Sequence, residues 1–205
     1  MKGRPRTFDE GQVLSRITDV FWRKGYVGTT MSDLVEATGL TKPSLYAAYG
    51  NKASMYSASL DRYIEQQSQT AYVHLKRDDI GATKAIRMFL KASLASVKHP
   101  DGPKGCLVLS SSTDDCGGHL PNHETAKVHA MNALAQQTYV AFFERALLSA
   151  GRPTSDAQAL GTYLMTLHTG LRQMTTRGVS KADLEDVVEF SVGCIAQQLD
   201  SCCDQ

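Results

Sequence analysis

Five cysteines and six histidines are the residues of this 205-residue sequence best suited to redox or metal chemistry, and their spacing limits what they could do. The thiols are Cys106, Cys116, Cys194, Cys202 and Cys203, and an odd count argues against a disulfide framework. Cys106 follows Lys104-Gly105 where a helix is expected to begin. A helix N-terminus there would favour the thiolate, although a small buried apolar residue serves the pattern equally. Cys116 stands in a polar segment, so these two are the candidate redox thiols, while Cys202-Cys203 reads as an incidental pair in a tail. Cys116-x2-His119-x3-His123, preceded by Asp114 and Asp115, has a spacing that a soft metal could use. A single three-ligand cluster in a Gly-rich stretch reads instead as an exposed loop, so no metal is expected. Gly-x-Ser-x-Gly, the P-loop, His-Glu-x-x-His and the dinucleotide fingerprint are all missing from the sequence, so neither a catalytic residue nor a cofactor is expected.

A different chemistry is offered between Thr30 and Tyr49. Thr30-Met31-Ser32-Asp33 reads as a helix cap, and the short helix it opens carries Leu34, Val35 and Ala37 before ending at Thr38-Gly39. Thr41 caps a second short helix with Pro43 tolerated in its first turn. Two such helices joined by a tight turn at Gly39-Leu40 match a helix-turn-helix, with Leu34, Val35, Leu40 and Leu45 directed inward. In the second helix, Lys42 to Tyr49, Leu45 is the apolar anchor; two alanines and an outward Tyr46 suit close approach to a groove floor.

The elements that must position these residues all read as helices. Thr7-Phe8-Asp9-Glu10 is expected to cap a first helix with Val13, Leu14, Ile17 and Phe21 on one face and a stop at Gly25. Asn51 is expected to cap a longer helix burying Met55, Tyr56, Leu60, Tyr63, Ile64 and Leu75. Further helices follow from Ile86, Phe89, Leu90, Leu94 and Val97, and from a stripe at Met131, Leu134, Thr138, Phe142 and Ala146. Cys106–Leu109 reads as a short apolar piece before a polar, glycine-rich stretch to Pro121. Ser155-Asp156-Ala157-Gln158 and Ser180-Lys181-Ala182-Asp183 are expected to cap the last two helices. Their apolar residues, Leu160, Leu164, Leu167, Leu171, Met174 and then Leu184, Val188, Ser191, Ile195, Leu199, keep the period of a bundle seam. That seam suits a dimer bundle or an ordinary core.

Charge separates the two ends of the chain. Residues 1–52 carry a net +3 and the remainder −2, within a total of +1. No apolar run approaches the ~18–20 residues of a membrane helix. The basic start, Met1 to Arg6, lacks the apolar stretch of a signal peptide, so the expected location is cytoplasmic.

Gly3-Arg4-Pro5-Arg6, Phe21-Trp22-Arg23-Lys24-Gly25-Tyr26, Thr29 to Leu34 and Gly39 to Lys52 closely resemble the DNA-binding domain of TetR/AcrR-family transcriptional regulators, without gaps through residues 3–60. Weaker resemblance continues at Gly105-Cys106-Leu107 and from Gly170-Leu171 through Gly178, in what looks like the family's C-terminal domain. The resemblance implies an all-α chain. Its parts would be a helix-turn-helix domain at 1–52, a connecting helix at 53–77, and an effector-binding and dimerisation domain at 78–205. It also implies a homodimer through the last two helices, a double-stranded DNA operator as partner, and repression relieved by a small-molecule effector.

Site roles follow by position. Lys42, Pro43, Ser44 and Tyr46 match the recognition helix that meets bases or backbone, with guanine the natural partner of Lys42. Thr30, Tyr49 and Lys52 match phosphate-facing positions, with packing against the first helix the alternative for Tyr49. Lys2, Arg4 and Arg6 form a basic arm. Phe89, Cys106, Met131, Tyr139, Leu164, His168 and Leu171 are the expected effector-pocket lining, unless they are plain core. A redox or electrophile sensor acting through Cys106 and Cys116, with the same DNA-binding head, is the competing expectation.

Overall fold

The computed structural model describes residues 8–95, 105–116 and 118–200, and among them the chain forms helices and no strand. Contacts gather it into two compact units, Met1–Glu65 with Leu107–Val128, and Gln66–Cys106 with His129–Gln205.

The first unit begins with α1 (Glu10–Gly28), whose N-cap is Asp9: its carboxylate accepts from Gln12 N at 3.1 Å. The expected box at Thr7 is thereby shifted by two residues, and Thr7 itself lies outside the described residues. Gly25 interrupts α1 at φ 69, a left-handed conformation that a side chain would strain. α2 (Met31–Thr38) and α3 (Lys42–Tyr49) follow, then α4 (Lys52–Thr70). Val13, Ile17 and Phe21 of α1 are buried with Leu34 and Leu45, while Val35 and Leu40 are only partly covered. Phe21 meets Tyr56 edge-on at 4.9 Å, and Trp22 meets Tyr63 at 4.8 Å.

α6 (Leu107–Cys116) belongs to this unit and corrects the expected loop. Ser110 to Cys116 are helical because distant partners hold them. Ser111 Oγ bonds the buried Tyr56 hydroxyl, and Asp114 Oδ2 accepts from Tyr26 N at 2.6 Å. The contact division thus falls at Glu65/Gln66 and returns Leu107–Val128 to the first unit, unlike boundaries at 52 and 77.

In the second unit a short 3-10 helix, Tyr72–Lys76, carries Leu75, which is therefore not on α4 as expected. α5 (Ala82–Ala95), α8 (Ala157–Thr176), α9 (Lys181–Asp200) and the later part of α7 (Asn122–Ser149) enclose its core. Ile86, Phe89, Leu90 and Leu94 are buried, as are Leu164, Leu171, Leu184, Val188, Ser191, Ile195 and Leu199; Val97 lies outside the described residues. The α7 stripe differs from the expected one. Tyr139, Phe142, Phe143 and Leu147 face inward, while Leu134 is 59% exposed. Ser180 does cap α9, accepting from Asp183 N at 3.1 Å. Ser155 does not cap α8; a 3-10 turn, Thr154–Asp156, leads into it instead.

Candidate functional site

The outward surface of α3 is built by its own ends. Gly39 closes α2 in the left-handed conformation (φ 71), and Thr41 opens α3, its hydroxyl oxygen accepting from Ser44 N at 3.4 Å and contacting Ser44 Oγ at 2.9 Å. Leu45 alone in α3 is fully buried. Lys42, Pro43 and Ala47 are exposed, Tyr46 is 42% exposed, and Lys42 Nζ lies 5.9 Å from the Tyr46 ring centroid. The turn before α3 therefore presents a cation, a phenol and small side chains at a capped helix N-terminus. Those groups can reach base edges or phosphate oxygens without first breaking a salt bridge of their own.

The expected backbone-contacting residues divide. Thr30 holds α2 through a reciprocal capping box, its oxygen accepting from Asp33 N at 3.2 Å and its own N–H donating to Asp33 Oδ2 at 2.8 Å. Lys24 Nζ donates to the other Asp33 oxygen at 2.7 Å, and this bond first, with those from Thr30, holds the Asp33 carboxyl down at about 2. The Tyr49 hydroxyl donates to Glu10 O at 3.0 Å, tying α3 to the first turn of α1, which is the packing given as the alternative to a phosphate contact. Lys52 Nζ sits 4.4 Å from the Tyr26 ring centroid, and partial burial lowers its pKa against the opposing pull of Asp114 and Asp33. Arg4 and Arg6 lie outside the described residues.

Asp114 is the residue of this unit that the sequence misassigned. Placed beside a possible metal cluster, it instead receives the Tyr26 N–H released by the break at Gly25. A Cβ on Gly25 would come within 2.9 Å of Asp114 Oδ2. The glycine itself was the available signal, since it announces a backbone break whose N–H groups need an acceptor.

In the second unit three of the expected pocket residues converge. The Phe89 ring centroid lies 4.9 Å from that of His168 and 5.7 Å from that of Tyr139. Tyr139 OH bonds His168 Nδ1 at 2.8 Å, Tyr72 OH bonds Tyr139 OH at 2.7 Å, and Ser93 Oγ bonds His168 Nε2 at 2.6 Å. Burial, and then the nearby Arg172 charge, push the His168 pKa down to about 3, so its imidazole is neutral. Leu164 and Leu171 are buried in the same core, while Met131 is only partly covered on α7. Cys106 is a partly exposed thiol immediately before α6, close enough to Tyr72 to raise the phenol pKa behind the larger effect of burial. The Cys116 side chain lies outside what is described; His123 points to its neighbour Glu124 at 3.2 Å.

Arg172 organises this cluster and was not singled out in the sequence. It is 2% exposed, donates to Ser93 O at 2.9 Å and Ser93 Oγ at 3.1 Å, reaches Gln67 Oε1 at 3.4 Å, and bonds Gly105 O. One guanidinium thus joins the end of α5 to the residue before Cys106.

Comparisons with known proteins agree with both halves of this description. The profile of bacterial regulatory proteins of the tetR family matches residues 13–58. The chain is 28% identical to the HTH-type transcriptional repressor ComR of Escherichia coli (strain K12), covering 91% of this chain and 88% of that one. It is 27% identical to the HTH-type transcriptional repressor BdcR of the same organism, over 87% and 84%. A cysteine-substituted form of the TetR family transcriptional regulator CifR, solved with 26-bp double-strand operator DNA, superposes with a TM-score of 0.81 at 27% identity, over 93% and 98%. No helix among the described residues is long and apolar enough to cross a membrane. With its capped helix-turn-helix and its separate helical unit, the chain belongs to the TetR family of DNA-binding transcriptional regulators.

Proposed function

We propose that this regulator is a dimeric repressor that leaves its operator when a small molecule enters the second unit. The observation that carries the reading is the surface of α3, where Lys42, Pro43 and Tyr46 are exposed around a single buried anchor, Leu45. Base discrimination falls to Lys42, with Ser44 and Tyr46 beside it; Thr30 and Lys52 supply phosphate contacts. Dimerisation through α8 and α9 is supported by the apolar groups these helices leave outside. Tyr163 is 42% exposed, Val187 44% and Phe190 74%, on helices whose opposite faces are already buried. A two-fold dimer would set its recognition helices about 34–36 Å apart, in successive major grooves. To move the population from ~1:99 to ~99:1, an effector must prefer the non-binding conformer by ~5.5 kcal/mol.

Titration of labelled DNA from the region flanking the protein's own coding sequence tests the first part, with specific retention expected. Weak binding indifferent to sequence, there and in a random-sequence pool, would refute it. A thiol-triggered version is favoured by one observation, the partly exposed Cys106 beside Tyr72. Oxidant or alkylating agent should then release DNA from the wild type and not from Cys106→Ser; unchanged release in that variant rules it out.

A further inference from the structure

The break at Gly25 leaves two backbone groups of α1 to be satisfied, and they are satisfied from different directions. Gly25 O accepts from the Thr29 hydroxyl at 2.7 Å, within the step from α1 into α2. Tyr26 N donates to Asp114 Oδ2 at 2.6 Å, on a helix 88 positions further along the chain. α6 is also fastened by Ser111 to the buried Tyr56 hydroxyl, so its docking does not hang on Asp114 alone. The carboxylate therefore acts on the end of α1 in particular: it gives the freed N–H an acceptor and so fixes the direction in which the chain leaves the break.

What Tyr26 carries gives that bond a consequence at the DNA-facing surface. Its ring packs against Tyr56 with centroids 5.1 Å apart and lies nearly parallel to Phe21 at 6.5 Å. Lys52 Nζ rests 4.4 Å from the centroid of the same ring. Lysine holds its charge on a flexible stem, and ordering that stem on a phosphate costs entropy. A ring that already holds the ammonium removes part of the cost beforehand. Thr30, the other residue expected at a phosphate, follows the same turn as the N-cap of α2. Asp114 also acts on Lys52 by charge, ahead of Asp33, against the larger effect of burial. A negative charge near a phosphate contact would by itself weaken DNA binding. Removing Asp114 thus has opposite effects according to whether its charge or its acceptor matters to DNA.

We propose that Asp114 is a positioning residue for DNA binding: by accepting the Tyr26 N–H it fixes the end of α1 and the Tyr26 ring, and through that ring it places the Lys52 ammonium for a phosphate. The proposal rests on the reading of Lys52 as a phosphate contact.

Fluorescence anisotropy of a labelled duplex that the wild type selects from a random-sequence pool tests it, in salt from about 50 to 200 mM. Asp114→Ala should bind about tenfold more weakly and lower the slope of log affinity against log salt by about 1, as Lys52→Ala does. Asp114→Asn keeps an oxygen for the Tyr26 N–H and should stay within about threefold of wild type, with the full slope. With Lys52→Ala already in place, Asp114→Ala should cost less than about a further twofold. Asp114→Ser, whose hydroxyl ends short of the Tyr26 nitrogen, should behave as the alanine variant does and replaces it if that variant does not fold. Unchanged or tighter binding by Asp114→Ala overturns the assignment, as does an Asp114→Asn that binds as weakly as Asp114→Ala. Weaker binding with an unchanged salt slope, the mark of a merely loosened fold, overturns it too, and so do losses at Asp114 and Lys52 that simply add. Lys52→Ala separates the two claims. If it alone leaves affinity and slope unchanged, the phosphate reading of Lys52 fails. If it lowers both while Asp114→Ala lowers neither, that reading stands and the positioning role falls.

Discussion

The outward face of α3 and the cluster around Arg172 use nearly the same side chains, a cation, tyrosines and a serine, in opposite surroundings. On α3 the cation is Lys42, exposed at a helix N-terminus with Tyr46 beside it. In the second unit the cation is Arg172, 2% exposed and bonded to backbone and side-chain oxygens from α5, α4 and Gly105. Buried donors there have to find an acceptor in the protein, in a ligand or in ordered water. The contrast teaches that affinity for a polyanion needs groups whose bonds are still to be made. A cation held in the interior instead needs acceptors built around it, as Ser93 O and Gly105 O are around Arg172.

The largest effect that would break this contrast lies at Arg172. Arg172→Leu strands Ser93 O and Gly105 O in the interior and should lower unfolding free energy by about 3 kcal/mol or more, read by urea denaturation. A change within 0.5 kcal/mol would mean that the cluster is not structural. At Lys42 the order reverses. Lys42→Ala should leave stability within about 0.5 kcal/mol and cost about 1–3 kcal/mol of discrimination at one base pair of each half-site, measured by competition between operator variants.

Protonation offers the next test. Because His168 titrates near 3 in the fold and near its ordinary 6.5 when unfolded, the unfolded chain binds the additional proton between those values. Stability should therefore fall as pH drops below about 6.5, by at most about 1.4 kcal/mol per unit from this group, and the loss should be complete near the folded value. His168→Gln should flatten that slope in denaturation curves taken from pH 7 to pH 4. The smallest effect belongs to Lys52. Lys52→Ala should weaken all DNA sites alike and reduce the slope of log affinity against log salt by about 1. A change of base preference instead would assign it a reading role.

Much of this contrast was legible in short sequence spans. Thr30-x-x-Asp33, Thr41, Asn51 and Ser180-x-x-Asp183 cap helices through bonds three residues apart, so their signals lie wholly in the sequence. The helical state of Ser110 to Cys116 was not legible. Serine, threonine and aspartate compete with helical backbone locally, and the partners that decide the matter, Tyr56 and Tyr26, are 55 and 88 residues away from Ser111 and Asp114. Arg172 hid for a related reason: a charged residue on a helix reads as solvent-facing until its acceptors are seen, and those stand 67 to 105 positions distant. Phe89 and His168 could be found because helical periodicity placed them inward, whereas Tyr139 lies beside the stripe expected on α7. Their mutual contact, and the addition of Tyr72 and Gln67, needed the packing of five helical segments.

Selection from a random-sequence DNA pool by wild type and by Lys42→Ala tests the central claim most directly. The wild type should enrich a two-fold symmetric site with half-site centres about 10–10.5 bp apart, or a multiple of that, and the variant should lose preference at one position of each half-site. Recovered sequences indistinguishable from the starting pool, or the same motif from both proteins, would contradict the assignment of α3 as the reading helix.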